Sequence, residues 1–96
     1  MPYLLIAYDF EDALERRLQS RQAHIDYIDK LRDEEKAIFG AALIDSQSKM
    51  IGSTIFLNMT EIELQNYLAS EPYLINKVWD KIEIKPCNIG PSFIKK

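Results

Sequence analysis

The chain has 96 residues, 47% of them hydrophobic and 28% charged, with a formal net charge of −3. That balance fits one globular domain, residues 1–96, near the lower size limit for a self-sufficient core, and argues against a disordered chain. It leaves no electrostatic footprint for a nucleic-acid backbone, so no nucleic-acid partner is expected; Lys77, Lys81, Lys85, Lys95 and Lys96 read as solvated surface.

A single cysteine, Cys87, rules out an internal disulfide and points to a reducing compartment. With one histidine beside it, the usual nitrogen and sulfur set of a structural zinc cannot be assembled, and no metal is expected. The opening "MPYLLIAYDF" lacks a basic segment and a small-residue cleavage site and is too short to span a bilayer. No membrane association is expected, and the location implied is cytoplasmic.

In chain order, "YLLIAY" (residues 3–8) is a short apolar run ending at Asp9, which predicts a strand buried on both faces. Asp12 followed by Glu15 has the spacing of a capping box and predicts the start of a helix. That helix is expected to bend around "QSRQ" (19–22) and to continue from Arg21 to Glu34. "AIFGAALI" (37–44) and "MIGSTIFLN" (50–58) read as strands joined by the polar turn "DSQSK", a hairpin. Thr60 caps a short helix over "EIELQNYLA", and Ser70-Glu71-Pro72 opens another helical turn, proline being tolerated where the amide is unpaired. "KIEIK" (81–85) alternates strictly, an edge-like strand that Pro86 weakens.

The resulting order is βαββαβ, an α+β ferredoxin-like fold: an antiparallel four-stranded sheet with helices on one face. Two helices cover one face only, whereas the first and third strands are apolar on both. A second copy of the chain is the simplest cover, so a homodimer packed sheet to sheet is expected.

The one histidine, His24, shares a helical stripe with Ile25, Ile28 and Leu31. Such a residue is either a hydrogen-bonded core histidine or a general acid or base oriented by a carboxylate. Two carboxylates are candidates: Asp9 at the end of the first strand, and Glu71 at the last helical turn. Both residue types also recur as ordinary caps. "GST" (52–54) lies mid-strand, where a glycine permits close approach by a ligand or another backbone. It lacks the spacing of a phosphate loop, and Ser53 has no base placed as in a known nucleophile motif. Nothing marks Cys87 as activated. The five tyrosines are core or interface aromatics, one of which can line a pocket.

"RLQSRQAH" (17–24), "GST" (52–54), "SEPY" (70–73) and "IEIKP" (82–86) occur in the order found in the YciI-like proteins, which the chain resembles from Tyr3 to about Pro86. The resemblance implies a dimeric ferredoxin-like fold of the α/β-barrel type, related to muconolactone isomerase-like domains. It implies a histidine and an acid meeting in a cleft; one branch of the family removes chloride from a chlorinated hydroxyquinol. By this resemblance His24, Arg21, Asp9 and Ser53 match family positions, and Pro72-Tyr73 match the end of an Asp-Pro-Tyr motif. Glu71 replaces that aspartate, displacing the carboxylate by about 1.5 Å, one C–C bond. An error near 1 Å can cost about 10²-fold in rate. Ala41-Ala42 and Gln22 depart from Gly-Pro and Pro, so the pocket rim is expected to differ.

Two functions follow as alternatives. One is a small-molecule enzyme without a cofactor, its catalytic group His24 with Asp9 or Glu71, its substrate held by Arg21, Ser53 and Tyr73, and its reaction isomerisation, elimination or dehydrochlorination. The other is a non-catalytic dimeric module that binds a small ligand or a protein, with His24 a structural hydrogen bonder.

Overall fold

The computed structural model describes residues 2–93. Its elements are β1 (Pro2–Asp9), α1 (Leu14–Asp33), β2 (Ala37–Ile44), β3 (Met50–Asn58), α2 (Glu61–Ser70), α3 (Pro72–Ile75) and β4 (Trp79–Pro86), followed by a 3₁₀ turn at Pro91–Phe93. The strands form one antiparallel sheet in the order β2-β3-β1-β4, the ferredoxin-like arrangement expected, with β4 at an edge. The expectation for Lys95 and Lys96 lies outside the described residues.

Strand alternation divides the side chains between two unlike faces. Leu5 and Ala7 of β1 and Ile55 and Leu57 of β3 are buried beneath the helices, with Ile82 and Ile84 of β4 packed beside them. Leu31 of α1, Leu64 and Tyr67 of α2, Tyr73 of α3 and Trp79 complete that core. The opposite face carries Leu4, Ile6 and Tyr8, paired across from Phe56, Thr54 and Gly52, with Phe39 opposite Phe56 on the far side. Tyr8 and Phe39 are 44% and 56% exposed, so within one chain β1 is covered on one face only. Burial of β1 on both faces would need a second cover.

Two local expectations are corrected. Asp12 does not cap α1: it has a left-handed backbone (φ 60°), and the N-cap is Ala13, with no side-chain hydrogen bond. Ala13 is buried, so packing rather than capping decides that position. Nor does α1 bend at residues 19–22; it runs unbroken over 20 residues. "QSRQ" contains neither proline nor glycine, and Ser20 faces inward, its Oγ accepting a hydrogen bond from Asn76 Nδ2 at 3.0 Å. Polar residues there signalled packing against α3, not a break.

Mid-strand Gly52 serves the approach of another backbone: a Cβ at this position would lie 2.3 Å from the Ala7 carbonyl oxygen. The connection to β3 is held by Asp45, whose carboxylate accepts from the Gln47 and Lys49 amides.

Helix α2 starts as its sequence dictates. Thr60 Oγ1 accepts from the Glu63 amide and Glu63 Oε1 from the Thr60 amide, a complete capping box. Glu63 also meets Lys36 Nζ at 2.8 Å, tying α2 to the start of β2. The Lys36 hydrogen bond, with those of the cap, lowers the Glu63 carboxyl from its ordinary 4.5 to about 2. Because the folded value is depressed, this contribution to stability is complete above about pH 4.5 and disappears as pH falls through about 2. Urea unfolding of wild type and Glu63→Gln across that window is expected to give curves that separate at pH 6 and converge towards pH 2.

Candidate functional site

The site is built around a carboxylate removed from solvent. Pro72 occupies the first position of α3 and disfavours helical backbone in the residue before it; Glu71 accordingly is extended, at φ −67° and ψ 118°, between α2 and α3. This kink turns the Glu71 side chain inward, where it is 0% exposed. Its Oε1 accepts from the Tyr73 amide at 3.1 Å, as an N-cap acceptor, and lies 2.5 Å from His24 Nδ1. Its Oε2 accepts the Tyr67 hydroxyl at 2.5 Å from one turn earlier. Burial, with the Glu71 charge next, pushes the Tyr67 phenol well above its ordinary range, so the phenol remains a donor. A carboxylate in this setting accepts only, so Nδ1 carries a hydrogen and Nε2 is the nitrogen available for other chemistry.

The His24 ring is also fixed in its plane. It stacks on Tyr73 at 4.0 Å with 10° between planes, and meets the edge of Trp79 at 6.0 Å. His24 Nε2 makes no hydrogen bond among the described residues, and the side chain is 15% exposed.

A second polar group also meets Tyr73. Arg17, 3% exposed, directs Nη1 to both oxygens of Asp9 at 2.9 and 3.0 Å and Nη2 to Ser53 Oγ at 2.7 Å. Its guanidinium carbon lies over the Tyr73 ring, 4.8 Å from the centroid, so Tyr73 contacts both Arg17 and His24. Trp79 Nε1 donates to the same Ser53 Oγ at 3.2 Å. A register shift between Tyr8 and Asp9 pairs Asp9 with Trp79 and brings both to this end of the sheet. Burial raises the Asp9 carboxyl above its ordinary value, an effect that the Arg17 charge and hydrogen bond oppose.

Both groups border one cleft between α1 and the β2-β3 side of the sheet, a cavity of about 310 Å³. Arg17, Arg21, His24, Ser53 and Tyr73 line its polar side, and Ile25, Ile28, Ala41, Ala42 and Ile55 lie among its apolar walls. The expected residues are thus divided. His24, Glu71 and Tyr73 come together; Asp9 and Ser53 meet through Arg17, and Asp9 makes no hydrogen bond with His24. Arg21 is exposed at the cavity wall. The extra methylene of Glu71 does not carry its carboxylate away from the imidazole.

Three residues escaped the reading of the sequence: Arg17, Tyr67 and Trp79. Arg17 lies seven residues before His24, two helical turns along the same stripe, so a charged residue on a buried face was the available signal. Tyr67 lies four residues before Glu71, the spacing of side-chain neighbours on a helix. Trp79 has no comparable local mark.

The chain is 29% identical over 93 residues to Protein YciI of Escherichia coli O6:H1, covering 90% of this chain and 95% of that relative. Protein YciI of Shigella flexneri gives the same identity and the same coverage of both chains. A solved structure of 5-chloro-2-hydroxyhydroquinone dehydrochlorinase from Burkholderia phenoliruptrix, in complex with 2,5-dihydroxybenzoquinone, matches with a TM-score of 0.85 at 17% identity, over 96% of this chain and 98% of that one. At that identity the likeness concerns the fold. The family model of the YCII-related domain matches residues 1–88, and the chain therefore belongs to the YCII-related domain family.

Proposed function

We propose that the protein is a cofactor-independent enzyme that moves a proton on a small cyclic or unsaturated molecule bound in the cleft, by isomerisation, elimination or loss of chloride. The observation that carries this reading is the His24–Glu71 pair: one ring nitrogen is held by a buried carboxylate, and the other has no partner among the described residues and borders a cavity of about 310 Å³. A histidine serving structure alone needs no such cavity. In this reading His24 Nε2 takes and returns the proton, and Glu71 fixes the tautomer and balances the imidazolium that forms. Arg21 attracts an anionic group from the cleft wall, and Tyr73 supports the imidazole ring. Asp9 acts through Arg17, holding it against Ser53. The dehydrochlorinase of the same fold supports a reaction of this class without identifying this protein's substrate.

General acid–base catalysis contributes about 10²–10⁴-fold. The protein in deuterated buffer with 5-chloro-2-hydroxyhydroquinone and a set of enolisable cyclic ketones is therefore expected to release chloride or exchange substrate protons. His24→Gln is expected to slow this by at least about 100-fold in protein that circular dichroism shows to be folded. Ligand binding with no turnover in the wild type, or equal rates in both proteins, would leave the binding-module reading instead. Tyr67→Phe removes one donor from the buried Glu71 carboxylate, and a loss of about 1–3 kcal/mol in urea unfolding is expected.

The same reading includes a homodimer. The sheet face bearing Leu4, Ile6, Tyr8, Phe39 and Phe56 is apolar and uncovered within one chain, and a second copy presents an equally apolar face to it. Light scattering is expected to give twice the mass of the 11.2 kDa chain, and Phe56→Glu to give a monomer. A monomeric wild type at micromolar concentration removes this part of the proposal.

A further inference from the structure

Ser53 stands out for its hydrogen-bond stoichiometry. It lies on the helix-facing side of β3, opposite Ala7 and Ala42, and is 3% exposed. Its Oγ receives Arg17 Nη2 at 2.7 Å and Trp79 Nε1 at 3.2 Å. Neither arginine nor indole can accept a hydrogen bond, so both contacts consume Ser53 lone pairs. A hydroxyl has two lone pairs and one hydrogen. The hydrogen is therefore committed to donation, and no acceptor for it exists among the described residues. Ser53 lines the same cavity as His24 and Arg21.

We infer that Ser53 is a fixed hydrogen-bond donor to a carbonyl, enolate or phenolate oxygen of the molecule that occupies the cleft, with Arg17 as the positioning residue that enforces the donation. This deepens the proton-transfer reading and rests on it for the reaction, though not for the binding. Arg17 gives Nη1 to Asp9 and an Nη2 hydrogen to Ser53, while its buried Nε has no partner among the described residues. It acts by occupying a lone pair with a charged donor, which polarises the hydroxyl and strengthens the bond that Ser53 gives. Other charges bordering the cleft are Arg21, which adds to the attraction for an oxyanion, and Asp29, which is engaged by Arg32 at 3.2 Å.

The ligand class follows from two directed groups in one cavity. One end carries a hydrogen on carbon or oxygen for His24 Nε2; a nearby end carries an oxygen acceptor for Ser53. Enolisable ketones, vinylogous acids and hydroxylated quinones have this pairing. In the step itself the C–H or O–H bond breaks as Nε2–H forms, and the released electron pair moves through the unsaturated system onto the oxygen facing Ser53. Return of the proton from His24 to another position of the substrate restores both neutral partners. The donor is thus placed where negative charge grows, so its bond strengthens as the reaction proceeds.

The test is calorimetric titration of 2,5-dihydroxybenzoquinone into wild type, Ser53→Ala, Ser53→Thr and His24→Gln. A hydrogen bond to a charged acceptor is worth about 1.5–3 kcal/mol, so Ser53→Ala is expected to weaken binding by about 10- to 150-fold. Ser53→Thr, which keeps the hydroxyl, is expected to restore most of the affinity. A crystal of the wild-type complex is expected to place a ligand oxygen about 2.6–3.2 Å from Ser53 Oγ, a reading that does not depend on any variant folding. Equal affinity of wild type and Ser53→Ala, a complex with no ligand oxygen near Ser53, or no binding to wild type at millimolar probe would each overturn the inference. Binding that depends on Ser53 but is not accompanied by His24-dependent proton exchange would retain the donor and remove the catalytic reading.

Discussion

The arrangement of this protein turns on one buried carboxylate. A charged group inside a small core is tolerated only when its hydrogen-bonding capacity is filled, and Glu71 has a donor from each surrounding direction: the Tyr67 hydroxyl, the Tyr73 amide and His24 Nδ1. These donors come from α2, α3 and α1, so satisfying one side chain fixes the mutual placement of three helices. The same contact sets the imidazole tautomer. Structural and chemical roles of Glu71 are therefore not separable, since anything that lets the carboxylate move also releases the histidine.

Around that carboxylate the polar interior forms two groups that share contact with one aromatic ring. Tyr73 stacks on His24 and has Arg17 over its ring, while Trp79 meets it edge to face. Two polar groups that would interfere if merged are kept apart: Glu71 belongs to His24, and Asp9 to Arg17. The cleft meets both. It offers an imidazole nitrogen from one and a serine hydroxyl hydrogen from the other, neither with a partner among the described residues, and aliphatic residues of α1 and β3 stand among its walls. An apolar wall around a few directed polar groups raises the strength of each interaction made there.

Much of the fold was legible because it depends on periodicity and turn chemistry, both local. The alternation in "KIEIK", the polar turn before Met50, the Thr60 and Glu63 pair and the Glu71-Pro72 step each appear as the sequence predicts. The failures were also local in origin. Asp12 and Glu15 have the spacing of a cap, but the buried position at the start of α1 is taken by Ala13. The polar run at 19–22 imitates a break because Ser20 is polar yet buried, satisfied by Asn76 from a distant part of the chain. A pattern of polarity reports burial only when buried polar groups are rare, and this core contains several.

Of the candidate site, the identities of His24, Asp9, Ser53, Glu71, Arg21 and Tyr73 were accessible from the sequence, because residue type limits what each can donate, accept or hold. Their partnership was not. Which carboxylate serves the histidine depends on how far α1 runs without bending and on the direction that Pro72 imposes on Glu71, and the second of these matters only once α1 is packed beside it. Arg17, Tyr67 and Trp79 acquire meaning only through contacts 36, 4 and 26 residues away in the chain. The sequence by itself determined the elements, their order and the chemical repertoire, since propensity, spacing and functional groups are properties of short segments. The tertiary structure alone decided the pairing of acids with bases and the direction of each free valence, because burial drives polar atoms to find partners and only the assembled core shows which partners are within reach.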